Sequence, residues 1–205
     1  MPIKAVSEKT IQDLEILKKA DVFEKFYLGG GTGLAFLLNH RESHDLDFFS
    51  ESPFNESRLA ERLKKIGQFS LEKKEEGTLR GLFENTILSF FNYPYPLLEK
   101  LKLIDGIPVA SLTDIGCMKI DAISSRGTKR DFIDVYAIMR EGKIKLADLL
   151  DAFAKKYGSL NYNLTHIQKS LVYFDDAEND PMPNMLAPLD WKTVKEYFIS
   201  EIKKI

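Results

Sequence analysis

The chain has 205 residues, 29 Lys and Arg against 31 Asp and Glu for a formal net charge of -2, and one cysteine, Cys117. The charge balance excludes a global basic field for nucleic acid or membrane surfaces. A lone cysteine excludes an internal disulfide and a thiolate zinc cluster, and the length suits one domain or a domain with a helical extension.

The first stretch, "MPIKAVSEKTIQDLEILKK", has no apolar signal core, and no run approaches the ~20 apolar residues of a membrane span, so a cytoplasmic protein is expected. Ile11, Leu14 and Leu17 recur at helical spacing behind Ser7, a plausible N-cap, and predict a helix. "KFYL" reads as a short strand entering Gly29, Gly30 and Gly31, "TGLAFLLNH" as a short helix beginning near Thr32, and "HDLDFF" as a strand. "NESRLAERLKKIGQ" predicts a helix capped by Asn55 and ended by Gly67. "FSLEKKEE", "TLRGLFE" and "TILSFFNY", separated at Gly77 and at Glu84 and Asn85, predict a meander with tight turns. The proline-broken run that follows leaves room for one further strand before Leu112. From there "LTDIGCMKIDAISSR", "TKRDFIDVYAIMREG", "KLADLLDAFAKKYG" and "LTHIQKSLVYF" read as helices. Residues 175–189, acidic and proline-rich, read as a surface linker, and "DWKTVKEYFISEIKKI" as a docked last helix. The fold class is therefore α+β, with a mixed-sheet core over 1–110 and a helical C-terminal region over 111–205.

Two features carry chemistry. On a strand, residues i and i+2 share a face, so Asp45 and Asp47 stand together while Leu46 and Phe48 point into a core. Roughly 6.6 Å apart at an effective dielectric of about 20, the two carboxylates repel by about 2.5 kcal/mol and call for a cation. Mg²⁺ suits them, since it binds one or two carboxylates together with substrate phosphates. For D-x-D alone, a solvated strand end paired with Arg41 or a lysine is the commoner case. The glycines precede a helix whose free N–H groups and dipole favour phosphate, although a tight strand-to-helix turn needs glycine without any ligand. The run is no Walker A loop, because no G-K-[ST] follows, and no dinucleotide fingerprint, because Leu34 stands in place of its last glycine.

Read together, "GGTGLAFLLNHRESHDLDFF" resembles the nucleotidyltransferase signature of a glycine pair, a short helix and a D-h-D strand, with 13 residues between Gly31 and Asp45. More narrowly, Gly30, Gly31, Thr32, His40, Arg41, Ser43, Asp45, Leu46, Asp47, Phe48 and Phe49 are similar to the AbiEii family of toxin nucleotidyltransferases. "KIDAISSRGTKRDFIDVYAI" is similar to that family's second region, a helical lysine, a basic stretch and D-x-x-D, here Lys119, Arg126, Lys129, Arg130, Asp131 and Asp134.

The resemblance implies a nucleotidyltransferase-like mixed sheet flanked by helices. It implies Asp45, Asp47, Lys119 and Asp134 as catalytic residues and Mg²⁺ on Asp45 and Asp47. It implies a nucleoside triphosphate bound by Gly30, Gly31, Thr32, Arg41, Ser43 and Arg126. Family members include enzymes that modify tRNA, which names tRNA as an acceptor to test, and an antitoxin as a partner protein. Arg126, Lys129 and Arg130 form a cluster that either tracks a phosphate backbone, binds the triphosphate or is solvated. Many superfamily enzymes carry a third carboxylate on a later strand, and the nearest candidate, Glu84, falls at a turn. That departure motivates an alternative, a non-catalytic nucleotide-binding module of the same fold. His40 and His44 are expected to orient the loop rather than bind metal, and Phe48, Phe49, Phe90 and Phe91 to be core rather than base-stacking.

Overall fold

The computed structural model describes residues 4–158 and 162–205; residues 1–3, which open the stretch read for a signal core, and 159–161 lie outside the description. Helix α1 (Glu8–Lys19) starts where Ser7 Oγ accepts from the Thr10 N–H. Strand β1 (Tyr27–Leu28) leads into α2 (Gly30–Leu38), which starts two residues earlier than Thr32, so Gly30 and Gly31 lie in the helix's first turn and Gly29 is its N-cap. β2 (Leu46–Ser50), α3 (Glu56–Ile66), β3 (Phe69–Glu75), β4 (Thr78–Phe83) and β5 (Thr86–Asn92) follow as the patterning predicts. The proline-broken run holds two strands rather than one, β6 (Lys102–Ile104) and β7 (Ile107–Val109). Their hairpin turns on Asp105 and Gly106, both at positive φ (49° and 79°), the geometry that Asp-Gly favours in two-residue turns.

Seven strands form one mixed sheet in the order β3-β4-β5-β2-β1-β7-β6. β2 lies at its centre, antiparallel to β1 and parallel to β5. Leu46 and Phe48 are fully buried on the face covered by α1 and α3, where burial contributes roughly 1.5–3 kcal/mol for each side chain. The alternate residues, Asp47 and Phe49, therefore project to the opposite face. There α2 packs with α4 (Leu112–Ser125), α5 (Lys129–Arg140) and α6 (Leu146–Lys156), and Tyr27 and Leu34 share one apolar core with Ile115, Ile120 and Phe132. Helices α7 (Leu164–Ser170), α8 (Asp175–Glu178) and α9 (Trp191–Ile202) complete the chain. A buried ion pair, Lys156 Nζ to Asp114 Oδ1 at 2.8 Å, fastens the loop before β6, because Asp114 also accepts the Leu98 N–H and Lys156 donates to the Pro96 carbonyl.

The expected surface linker at 175–189 does run over the surface, with most of its residues exposed, but it is not free chain. Its first residues are α8, and farther on Met185 forms a β-bridge with Arg41, with the Leu186 N–H donating to His40 at 3.0 Å and the Glu42 N–H to Asn184 at 2.9 Å. Composition made it look like a loop, but its backbone groups are used by a neighbouring segment. Among the described residues, no helix is long and apolar enough to cross a membrane.

Candidate active site

Three pieces of chain converge at the centre of the sheet: the first turn of α2, residues 40–47, and the facing ends of α4 and α5. Gly30 has φ +59°, a conformation that favours glycine, and a Cβ there would meet Asp47 Oδ2 at 2.5 Å. A Cβ on Gly31 would meet Arg41 Nη2 at 2.7 Å and Ser43 Oγ at 3.0 Å. Both glycines thus allow the carboxylate and the loop to close onto the helix N-terminus. Thr32 is buried, with its hydroxyl 2.8 Å from Ser43 Oγ and donating to the Asp45 carbonyl, so its side chain shapes the loop.

Asp45 lies just before β2 and is exposed, while Asp47 lies within it and is half-buried. Burial raises the Asp47 carboxyl above its ordinary value; Lys119 offsets part of this and Asp45 adds to it. In register beside Asp47 on β5 stands Ser89, and no carboxylate. Glu84 sits in the β4–β5 turn at φ 53°, accepting from the Gln68 N–H at 2.9 Å, and takes no part in this cluster.

Behind the pair lies a saturated charge network. Arg41 grips Asp134 with two bonds of 2.7 Å, from Nε and Nη2, and His40 Nε2 donates to the same carboxylate at 2.9 Å. Lys119 Nζ reaches Asp134 at 2.7 Å and Asp131 at 3.0 Å. Arg126 donates to Asp131 from Nε at 2.9 Å and from Nη2 at 3.0 Å, and the Thr128 hydroxyl adds a bond of 2.6 Å. Burial alone would lower the Lys119 ammonium, but Asp134 and Asp131 outweigh it and hold it above its ordinary value. Burial alone would likewise raise Asp134, but Lys119 and then Arg41 hold it well below the usual carboxylate range. The same contest, won by Lys119 and Arg126, takes Asp131 down to about 2.

The structure therefore brings Gly30, Gly31, Thr32, Arg41, Ser43, Asp45, Asp47, Lys119, Arg126, Asp131 and Asp134 to one region, and leaves Lys129 and Phe48 out of it. Lys119 is buried, and Asp134 pairs with Arg41 from the opposite end of the signature. Lys129 is turned away from any phosphate path: its ammonium bonds the carbonyls of Glu178 and Asp180. His40 orients the loop as expected, by way of Asp134, and His44 is exposed beside Glu42. Phe48 and Phe90 are core residues stacked at 5.0 Å, while Phe49 and Phe91 are half-buried and stacked at 5.4 Å. Two contributors escaped the sequence reading: Ser89, invisible until strand register is known, and the 180–184 segment beside Ser43 and Asp45.

A central D-h-D strand against a glycine-rich helix start, with helices on that face, defines a nucleotidyltransferase fold. Solved structures agree. One from H. pylori, described as a nucleotidyltransferase, superposes with a TM-score of 0.57 at 19% identity, covering 97% of this chain and 95% of that one. JHP933 from Helicobacter pylori matches at 0.50 and 16%, with the same coverage. The Megavirus polyadenylate synthase matches at 0.51 and 17%, over 67% of this chain and 32% of that one. The family model described as "Nucleotidyl transferase AbiEii toxin, Type IV TA system" matches residues 12–99 and 91–204, so the chain belongs to the AbiEii family and is a nucleotidyltransferase. A protein of Aquifex aeolicus (strain VF5), "Uncharacterized protein aq_aa25", is 34% identical over 206 residues, 98% of each chain.

Proposed function

We propose that the protein moves a nucleoside monophosphate from a nucleoside triphosphate to an acceptor hydroxyl, with tRNA as the acceptor, as the toxin of a toxin–antitoxin pair in the cytoplasm. The observation that carries this reading is the under-compensated carboxylate pair, Asp45 and Asp47, set against the Gly30–Gly31 helix start with Lys119 behind it. Its donor set suits Mg²⁺: two hard oxygen groups, one of them raised by burial and by its neighbour, so that a divalent cation relieves what the fold leaves unbalanced. Among the described residues no third His, Cys, Asp or Glu joins them, which matches one ion completed by substrate phosphates. When bound, the ion neutralises phosphate charge and lowers the barrier to attack by the acceptor oxygen.

The chain's own residues do the rest. The free N–H groups at the start of α2 cradle the phosphates, and Ser43 Oγ lies where it donates to a phosphate oxygen. Three cations, Arg41, Lys119 and Arg126, face two anions, Asp131 and Asp134, so the network carries one net positive charge toward the incoming triphosphate. Asp134 keeps Lys119 and Arg41 in place. The acceptor oxygen bonds to the α-phosphorus and gives up its proton to solvent, the bridging P–O bond breaks, and pyrophosphate leaves with that bond's electrons. Positioning and charge supply the rate.

The test incubates purified protein, Mg²⁺ and each labelled triphosphate with total cellular RNA, beside Asp45→Ala. Label in tRNA from the wild type alone supports the reading; no label with any nucleotide refutes RNA as acceptor. Growth arrest on expression, absent with Asp45→Ala and relieved by a protein encoded next to the gene, tests the toxin role.

A further inference from the structure

The C-terminal strap has a feature that phosphate binding leaves unused. It is fastened at both ends: the Lys129 N–H donates to Asp180 Oδ2 at 3.0 Å and Lys129 Nζ to two strap carbonyls, while Asn184 accepts the Glu42 N–H and donates to the Glu42 carboxylate at 2.8 Å. Between these anchors runs Pro181-Met182-Pro183. The two proline rings fix φ, so this wall is set before any ligand arrives. Met182 is 37% exposed, an apolar side chain kept at the surface. The strap forms one side of a cavity of about 510 Å³, within the range that takes a small organic ligand, and Ser43, Asp45, Thr128 and Arg130 form the other.

The cavity's position bears on its occupant. Arg41 and Ser43 both line it, and these are the side chains that close on Gly31 at the phosphate cradle. It therefore adjoins the Gly31 turn, with Asp45 in its own lining. On the nucleotide reading, a group held here is near enough to that turn to be attached to the phosphates. A nucleoside is such a group: a flat heterocycle against proline rings and a methionine, with polar edges toward Arg130 and Asn184.

Resting on the nucleotide reading of the site, we propose that Pro181 to Asn184 form the wall that receives the donor's nucleoside, so that the strap, rather than the sheet, sets which base is accepted. Isothermal titration of the full chain in Mg²⁺ tests this, using each of the four nucleoside triphosphates and inorganic tripolyphosphate, on wild type, Met182→Ala and Met182→Leu. Met182 lies on the surface, and equal melting temperatures establish that the variants fold. The expected result is a preferred nucleotide bound more tightly than tripolyphosphate, weakened about tenfold by Met182→Ala and largely restored by Met182→Leu, with tripolyphosphate affinity unmoved. Unchanged nucleotide affinity in Met182→Ala, or equal weakening of nucleotide and tripolyphosphate, overturns the assignment and leaves the function standing. A wild type that binds neither overturns both.

Discussion

Two pairs of aspartates share this site, and the fold treats them in opposite ways. Asp131 and Asp134 are buried, one turn apart on α5, and every oxygen meets a cation, with the His40 ring and the Thr128 hydroxyl adding to Lys119, Arg41 and Arg126. Asp45 and Asp47 meet no cation in any ion pair among the described residues, and the second is raised rather than lowered. Residue type is the same; what differs is whether the chain supplies the countercharge. One pair is spent on architecture, and the other has no partner cation among the described residues, which is why the proposed function puts Mg²⁺ there.

The strongest way to break this contrast is to neutralise the second pair. Asp47→Asn is expected to reduce transfer by roughly 10³-fold while raising the melting temperature of the metal-free protein. The sign follows from the raised carboxyl: its folded form prefers the proton, so ionised Asp47 costs stability as pH rises beyond the ordinary carboxylate range. A lower melting temperature for Asp47→Asn in chelator would refute it. Asp134→Ala should do the reverse, losing about 3–5 kcal/mol in denaturant unfolding, because Lys119 and Arg41 remain buried without their partner. Gly30→Ala sits between the two: a left-handed alanine costs about 1–2 kcal/mol, and its methyl group displaces Asp47, so metal affinity read by titration should fall as well.

Acid sharpens the comparison further. Asp131 is depressed to about 2, so its contribution is fully present above the free carboxylate value near ~4 and is lost as pH falls toward the folded one. Melting curves across that window should show wild type losing stability and Asp131→Asn, already weakened, losing less. The smallest effect belongs to Glu84→Gln. Held in its turn by Gln68, Glu84 is remote from Asp47, and both metal stoichiometry and turnover should stay within about twofold of wild type, the range of an ordinary surface change. A larger loss would make Glu84 the missing third carboxylate.

Local features of this arrangement were legible in the sequence. The meander turns at Gly77 and at Glu84 and Asn85, the caps at Ser7 and Asn55, and the glycine-to-aspartate signature each depend on residues close in sequence. The Asp105-Gly106 hairpin was also readable, since both residues take the positive φ that this pair tolerates, but the prolines on either side obscured it. What was not legible spans distance. Arg41 and Asp134 lie 93 residues apart, a separation that no local spacing bridges. Ser89 faces Asp47 only through a parallel crossover whose register no local pattern encodes. The strap's prolines and acids made it legible as surface chain but hid its anchors, and Lys129, left open between a phosphate contact and a solvated cation, is one of them.

The pairing of Arg41 with Asp134 also bears on the protein's synthesis. The ribosome delivers the glycine signature and both candidate metal carboxylates early, but Lys119, Asp131, Asp134 and then the bridge from Met185 to Arg41 come much later. A chain interrupted before α5 leaves Arg41 and Lys119 without their buried counterions and has no strap. Translation products that stop before α5 therefore lack both the ion-pair network and the strap, and the candidate site is assembled only after most of the chain has been made.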